Sequence, residues 1–147
     1  MIQTSVYFHT ENEALQKLFD RAEANAKGNL AMFGPDQVLV EGGGYVKIWL
    51  ETQPMGGEMY AKRNLTAAIN NQLLFMRTQR ADGRLPGSIE CKPGCVIEPQ
   101  FNKFQGFCFP WHALNMYYWA DLGADYLREL RETLIRFDEY LWRVRDS

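Results

Sequence analysis

The stretch Glu41-Gly42-Gly43-Gly44-Tyr45-Val46-Lys47-Ile48-Trp49-Leu50-Glu51-Thr52-Gln53-Pro54-Met55-Gly56-Gly57-Glu58-Met59-Tyr60 decides how the rest of the chain is read. Its glycines rule out one helix through the whole segment. It nevertheless carries a Trp, a Gln and several acids. An adaptable backbone with one large aromatic face and a few polar groups has the makeup of a binding wall held up by a scaffold. Residues 37–40 and 45–49 are short β-like runs on either side of the three-glycine turn, which predicts a short hairpin-like segment near 37–50.

Outward from there the signal is helical. Before the stretch, Thr10-Glu11-Asn12-Glu13 has the form of a capping box. Leu15, Leu18, Phe19, Ala22, Ala26, Leu30 and Phe33 then follow at three- and four-residue steps, predicting a helix to residue 33 that Gly34-Pro35 stops. Residues 1–9 alternate weakly, as a short strand would. After the stretch, Gly56-Gly57 releases a second helix over 58–80, with Leu65, Ile69, Leu73 and Met76 as its ladder. Asp82-Gly83-Arg84-Leu85-Pro86-Gly87 is a turn. A long loop over 82–106 follows; its apolar residues argue for order, and loops of this length are commonly functional. Pro110 suits the first turn of a third helix bearing Trp111, Leu114, Tyr117, Tyr118 and Trp119, with Gly123 as its C-cap. Asp125 starts a fourth, in which Leu127, Leu130, Leu134, Phe137, Leu141 and Val144 repeat without a break. The pattern is mainly α, four helices as two consecutive hairpins.

Bulk properties narrow the function. The chain has 147 residues, one domain's worth. Charged residues make up 23% and the formal net charge is -2, so no basic footprint for nucleic acid or for a membrane surface is present. No apolar run nears the roughly 20 residues of a membrane span, and residues 1–5 lack the features of a secretory signal. A soluble, cytoplasmic protein is the expectation. Aromatic residues reach 14%, an excess that suits stacking on sugar rings or flat ligands. Three cysteines are an odd number. Cys91 and Cys95 with Cys108, His9 or His112 make a poor zinc set, and free thiols are the better reading, a Cys91–Cys95 bridge the next.

Candidate site residues come with alternatives. Trp49 reads as core at a strand end or as a platform for a pyranose. Glu51 reads as a ligand for sugar hydroxyls, as an ion-pair partner of Arg63 or Lys47, or as a catalytic acid or base. Gln105 has donors and an acceptor that suit sugar hydroxyls, or it staples its loop. Arg84 can clamp a ligand or face solvent. Trp111 and His112 open the third helix, and a His near a helix N-terminus is disfavoured in its charged form, so His112 reads as a hydrogen-bond donor. Acids on predicted loops are Glu41, Glu51, Glu58, Asp82, Glu90 and Glu98, and spacing alone selects no catalytic pair among them.

Taken in order, these motifs resemble the first third of a six-hairpin glycosidase, the (α/α)6 toroid of trehalases, glucosidase-I-like enzymes and related bacterial glycoside hydrolases. In that family a Trp-x-Asp-like segment precedes an inner helix, and Trp49-Leu50-Glu51 stands there, with Glu for Asp. An Asp/Asn-Gly-x-x-Pro turn follows, matched by Asp82-Gly83-Arg84-Leu85-Pro86. A Ser-Gln-Pro-Pro-like segment opens another inner helix, and Phe104-Gln105-Gly106-Phe107 keeps its Gln without the prolines. Then come an aromatic helix, a short turn (here Gly123-Ala124-Asp125) and an outer helix closing on Arg145-Asp146.

The resemblance implies helical hairpins forming part of an (α/α)6 barrel, with residues 1–147 as one segment, the N-terminal part of a catalytic domain. It implies an inverting glycoside hydrolase whose two carboxylates lie beyond this segment. The segment would supply one wall of the sugar site through Trp49, Glu51, Gln105 and Trp111. The chain alone is then expected to be inactive, with no catalytic residue, cofactor or metal of its own. Its partners would be an oligosaccharide or glycoside, and the remainder of its domain or a second copy to cover its apolar flanks. A sugar epimerase or phosphorylase is a variant of the same reading. The alternative is a small helical module for ligand binding or protein interaction, without catalytic activity.

Overall fold

A computed structural model describes residues 6–103 and 108–145. The order is α1 (Glu13–Gly28), β1 (Leu30–Phe33), β2 (Asp36–Leu39), β3 (Lys47–Trp49), α2 (Gln53–Tyr60), α3 (Leu65–Arg77), β4 (Ser88–Lys92), β5 (Val96–Gln100), α4 (Phe109–Ala120) and α5 (Gly123–Arg145). Helices form the bulk, and two small antiparallel sheets, β1–β2 and β3–β4–β5, accompany them.

The first helix is shorter than its periodicity predicts. Asn12, not Thr10, caps it, with Oδ1 accepting from the Leu15 amide at 3.1 Å. Thr10 instead accepts from the Asn12 amide at 3.2 Å. The helix stops at Gly28, where the Asn29 amide closes the last turn. Leu30–Phe33, read as its last turn, turns back at Gly34 (φ +60°) and pairs with β2. That pairing places Phe33 and Val38 in the core. Of the expected strand at residues 1–9, residues 1–5 lie outside the described residues and Val6–His9 is not a strand.

Strand partners also differ from the local expectation. The predicted hairpin across the glycine turn is replaced by one pairing with the preceding strand and one at long range. β2 takes β1, and β3 takes β4, with Lys47 opposite Glu90, Ile48 opposite Ile89 and Trp49 opposite Ser88. Only a Gly42–Tyr45 bridge remains of the turn itself. The long loop contains its own hairpin, β4–β5, turning at Pro93-Gly94-Cys95, where Gly94 and Cys95 take φ of +82° and +60°.

The second predicted helix is two helices. Asn64 is extended and caps α3, its Oδ1 accepting from the Ala67 amide at 2.9 Å. α3 is the hub. Ala67, Ala68, Leu74, Phe75 and Met76 are buried on it, and so are Asn70, Asn71 and Gln72. These amides replace the strand and helix partners that its neighbours lack. Asn70 donates to Gln37 O at 2.9 Å, and Gln72 donates to Pro54 O at 2.8 Å.

α4 and α5 form the predicted hairpin, but Asp121, in the left-handed region at φ +48°, ends α4, and Gly123 begins α5. Along α5 the buried stripe is Tyr126, Leu130, Thr133, Phe137 and Tyr140. It is rotated from the expected Leu stripe, leaving Leu127 and Val144 exposed. Gly83 lets the 82–87 turn lie on α5, since a Cβ there would fall 2.0 Å from Arg136 O. α1 has no buried residue; an Arg63–Glu23 fork, with N–O distances of 2.6 to 2.9 Å, ties it to the α2–α3 link. Among the described residues no helix is long and apolar enough to cross a membrane.

Candidate functional site

Gln53-Pro54 starts α2, and Gln53 knots it to β3: its Oε1 accepts from the Trp49 amide and from Thr52 Oγ1. One turn on, Gly57 meets α3 so closely that a Cβ would lie 2.8 Å from Asn71 Cβ and 3.3 Å from Ala68 O. This pins one side of α2 to α3. Another side carries Met55, Glu58 and Met59 at helical spacing, continued by Lys62, and faces α4.

Between the two lies a cleft of about 540 Å³, lined by Met55, Glu58, Met59 and Lys62 on the α2 side and by Trp111, His112, Asn115 and Trp119 on the α4 side. Its walls are unusual for surface helices. Trp111 is 69% exposed and Trp119 56% exposed, eight residues apart and so roughly 12 Å along the helix axis. Met59 is 73% exposed. The Lys62 ammonium lies 5.4 Å from the Trp119 ring centre.

The polar part of the cleft is one connected group. Glu58 Oε2 is bonded to His112 Nδ1, and Glu58 Oε1 accepts from Asn115 Nδ2 at 2.9 Å. The Glu58 and His112 side chains are only 17% and 15% exposed. A carboxylate can only accept, so Nδ1 carries the hydrogen and His112 is the donor that its helix position predicts. Each Glu58 oxygen thereby accepts a hydrogen bond, and the cleft combines the exposed Trp111 indole, the Trp119 indole with the Lys62 ammonium over it, a flexible thioether edge and a fixed imidazole.

The sequence candidates scatter. Trp111 lines this cleft; Trp49, Glu51 and Arg84 do not. Trp49 is half-buried on β3, with the Lys47 and Lys103 ammonium groups 5.0 and 5.5 Å from its ring centre. Glu51 is exposed in the turn before α2, and the expected partners are taken, Arg63 by Glu23 and Lys47 by Glu90. Arg84 is half-buried, with its guanidinium 5.9 Å from the Tyr140 ring centre. Gln105, with its neighbours 104–107, lies outside the described residues. Glu58, Asn115 and Trp119 went unselected in the sequence. Their signal was faint: Met55, Glu58, Met59, Lys62 and Trp111, Asn115, Trp119 are two amphipathic spacings whose meeting no local pattern announces.

The cysteines are free thiols. Cys91 Sγ lies 3.4 Å from Met32 O, and burial, then the neighbouring Cys95, pushes its thiol pKa up. Among the described residues no three His, Cys, Asp or Glu side chains gather as a metal site requires. No family model, no curated protein and no solved structure matches the chain.

Proposed function

We propose that the α2–α4 cleft is one wall of a sugar-binding site, and that the chain is part of a carbohydrate-active enzyme, a glycoside hydrolase of the inverting kind. The observation that carries the reading is the pair of exposed tryptophans, Trp111 and Trp119, flanking the Glu58–His112–Asn115 group. Indole faces take the apolar face of a pyranose, and the polar group between them is placed to meet its hydroxyls. The roughly 12 Å between the two positions is longer than one ring needs, which favours an oligosaccharide.

The finer architecture belongs to the same proposal. In an (α/α)6 toroid, further hairpins would pack on the apolar residues that this segment leaves exposed, among them Leu18, Leu114, Ile135 and Trp142. The two carboxylates of hydrolysis are assigned outside this segment: Glu58 is hydrogen-bonded through both oxygens to the wall itself, and the exposed Glu51 does not line the cleft.

The test is a titration of the chain with maltotriose and trehalose, followed by tryptophan fluorescence. The reading predicts saturable binding that Trp111→Ala and Trp119→Ala each weaken about tenfold, the equivalent of roughly 1.4 kcal/mol. Binding unaffected by both variants would remove the cleft from the account.

A further inference from the structure

The cleft's polar group keeps hydrogen-bonding capacity that the fold does not use. Glu58 Oε1 accepts from Asn115 Nδ2 and Oε2 from His112 Nδ1, which leaves Asn115 Oδ1 and the far side of the His112 ring without a described partner. With the hydrogen on Nδ1, the neutral His112 ring has an acceptor lone pair on Nε2. No described residue bonds Nε2, although the ring is largely buried and lines the cleft beside Trp111. An accessible acceptor on the cleft wall with no partner in the fold is free to take a donor from a bound molecule.

We propose that His112 is the specificity-determining residue of the cleft: its Nε2 accepts a hydrogen bond from a hydroxyl of a neutral, polyhydroxylated ring lying on the tryptophan faces. This rests on the sugar reading above. Glu58 is a positioning residue, fixing the Nδ1–H tautomer and the ring's orientation, and Asn115 fixes Glu58 in turn. The arrangement selects for a hydroxyl donor at one ring position, and a deoxy sugar there leaves Nε2 unpaired.

The proposal carries a pH signature. A hydrogen on Nε2 would occupy the lone pair, so affinity falls on acidification. The other titratable groups lining the cleft are Glu58 across from α2 and Lys62 beyond its end. His9, the other histidine, is exposed ahead of α1 and does not line the cleft.

His112→Asn is the decisive variant, because the Asn amide can still donate to Glu58 while offering nothing at the Nε2 position. Maltotriose affinity is measured from pH 8 to 5 for both proteins, and ring nitrogen shifts of the unliganded protein are recorded by NMR. The expected results are the Nδ1–H tautomer at high pH, an affinity that declines on acidification, and a variant about tenfold weaker with a flat profile. An Nε2–H tautomer overturns the proposal without any sugar. Equal affinity and equal pH slope in wild type and variant overturn it while leaving the sugar reading standing. Absence of maltotriose binding by the wild type overturns both.

Discussion

Asn71 treats Leu39 as a neighbouring strand would: its Oδ1 accepts from the Leu39 amide and its Nδ2 donates to the Leu39 carbonyl, each at 2.8 Å. The side chain is fully buried. A helix thus completes the open edge of β2, and α3 becomes the element on which both the β1–β2 hairpin and α2 are seated. Replacing Asn71 by Leu keeps the volume but orphans both Leu39 groups. The expected loss is about 2–6 kcal/mol, at roughly 1–3 for each of the two unsatisfied groups, measured by chemical denaturation.

The adjacent glycines of α2 should behave oppositely. At Gly56 an added Cβ would meet only a Leu39 methyl at 3.8 Å, so Gly56→Ala is expected to gain roughly 0.5–1 kcal/mol from helix propensity. At Gly57 the same methyl collides with Asn71 Cβ and comes within 3.3 Å of Ala68 O. Gly57→Ala is expected to cost about 1–3 kcal/mol and to tilt α2 away from α3, weakening sugar binding as well. Denaturation midpoints of the two variants, compared side by side, check the sign difference.

Tyr126 donates its hydroxyl to Ala113 O at 2.8 Å across the α4–α5 hairpin, and burial pushes its pKa well up. Tyr126→Phe leaves the packing in place and removes one neutral hydrogen bond. A loss of about 1 kcal/mol is expected, read by thermal or chemical unfolding. A loss several times larger would mean that the ring itself repacks.

Acid titration should find Asp82. The Arg80 guanidinium hydrogen-bonded to it, chiefly, holds its carboxyl down to about 2 from the ordinary 3.8. A group depressed on folding stabilises the native state above its unfolded pKa, and that contribution is lost as the pH falls through its folded value. The loss therefore falls between about pH 4 and pH 2, where the unfolded chain takes up the proton first. The pair is exposed, so the effect is small. Asp82→Asn should flatten the stability profile in that window, with its small deficit against the wild type present near neutrality and gone below about pH 2.

What the sequence made legible divides by range. α4 and α5 were readable because their periodicity is local and Pro110 sits where a first turn accepts it. The rotation of the α5 stripe was not, because Tyr126, Thr133 and Tyr140 recur at the same spacing as the leucines, and only α3 and α4 choose between them. Leu30–Phe33 kept helical spacing past Gly28-Asn29, and the choice for strand was made by Asp36–Leu39 and Asn71. Trp49's strand partner, Ser88, lies too far along the chain for any turn rule to find. The site follows the same division. Trp111 was legible as an aromatic at a helix start. Glu58 was legible only as one acid among several, because its bonds to His112 and Asn115 span more than fifty residues.

The central claim is that Trp111 and Trp119 present a sugar-binding wall. The most direct measurement is the indole N–H spectrum of the isotopically labelled chain during a maltotriose titration, with each signal assigned by single Trp→Phe variants. The account predicts that the Trp111 and Trp119 signals shift together and saturate at one concentration, while those of Trp49 and Trp142 stay in place. Movement of Trp49 alone, or no saturable shift in any of the four, would contradict it.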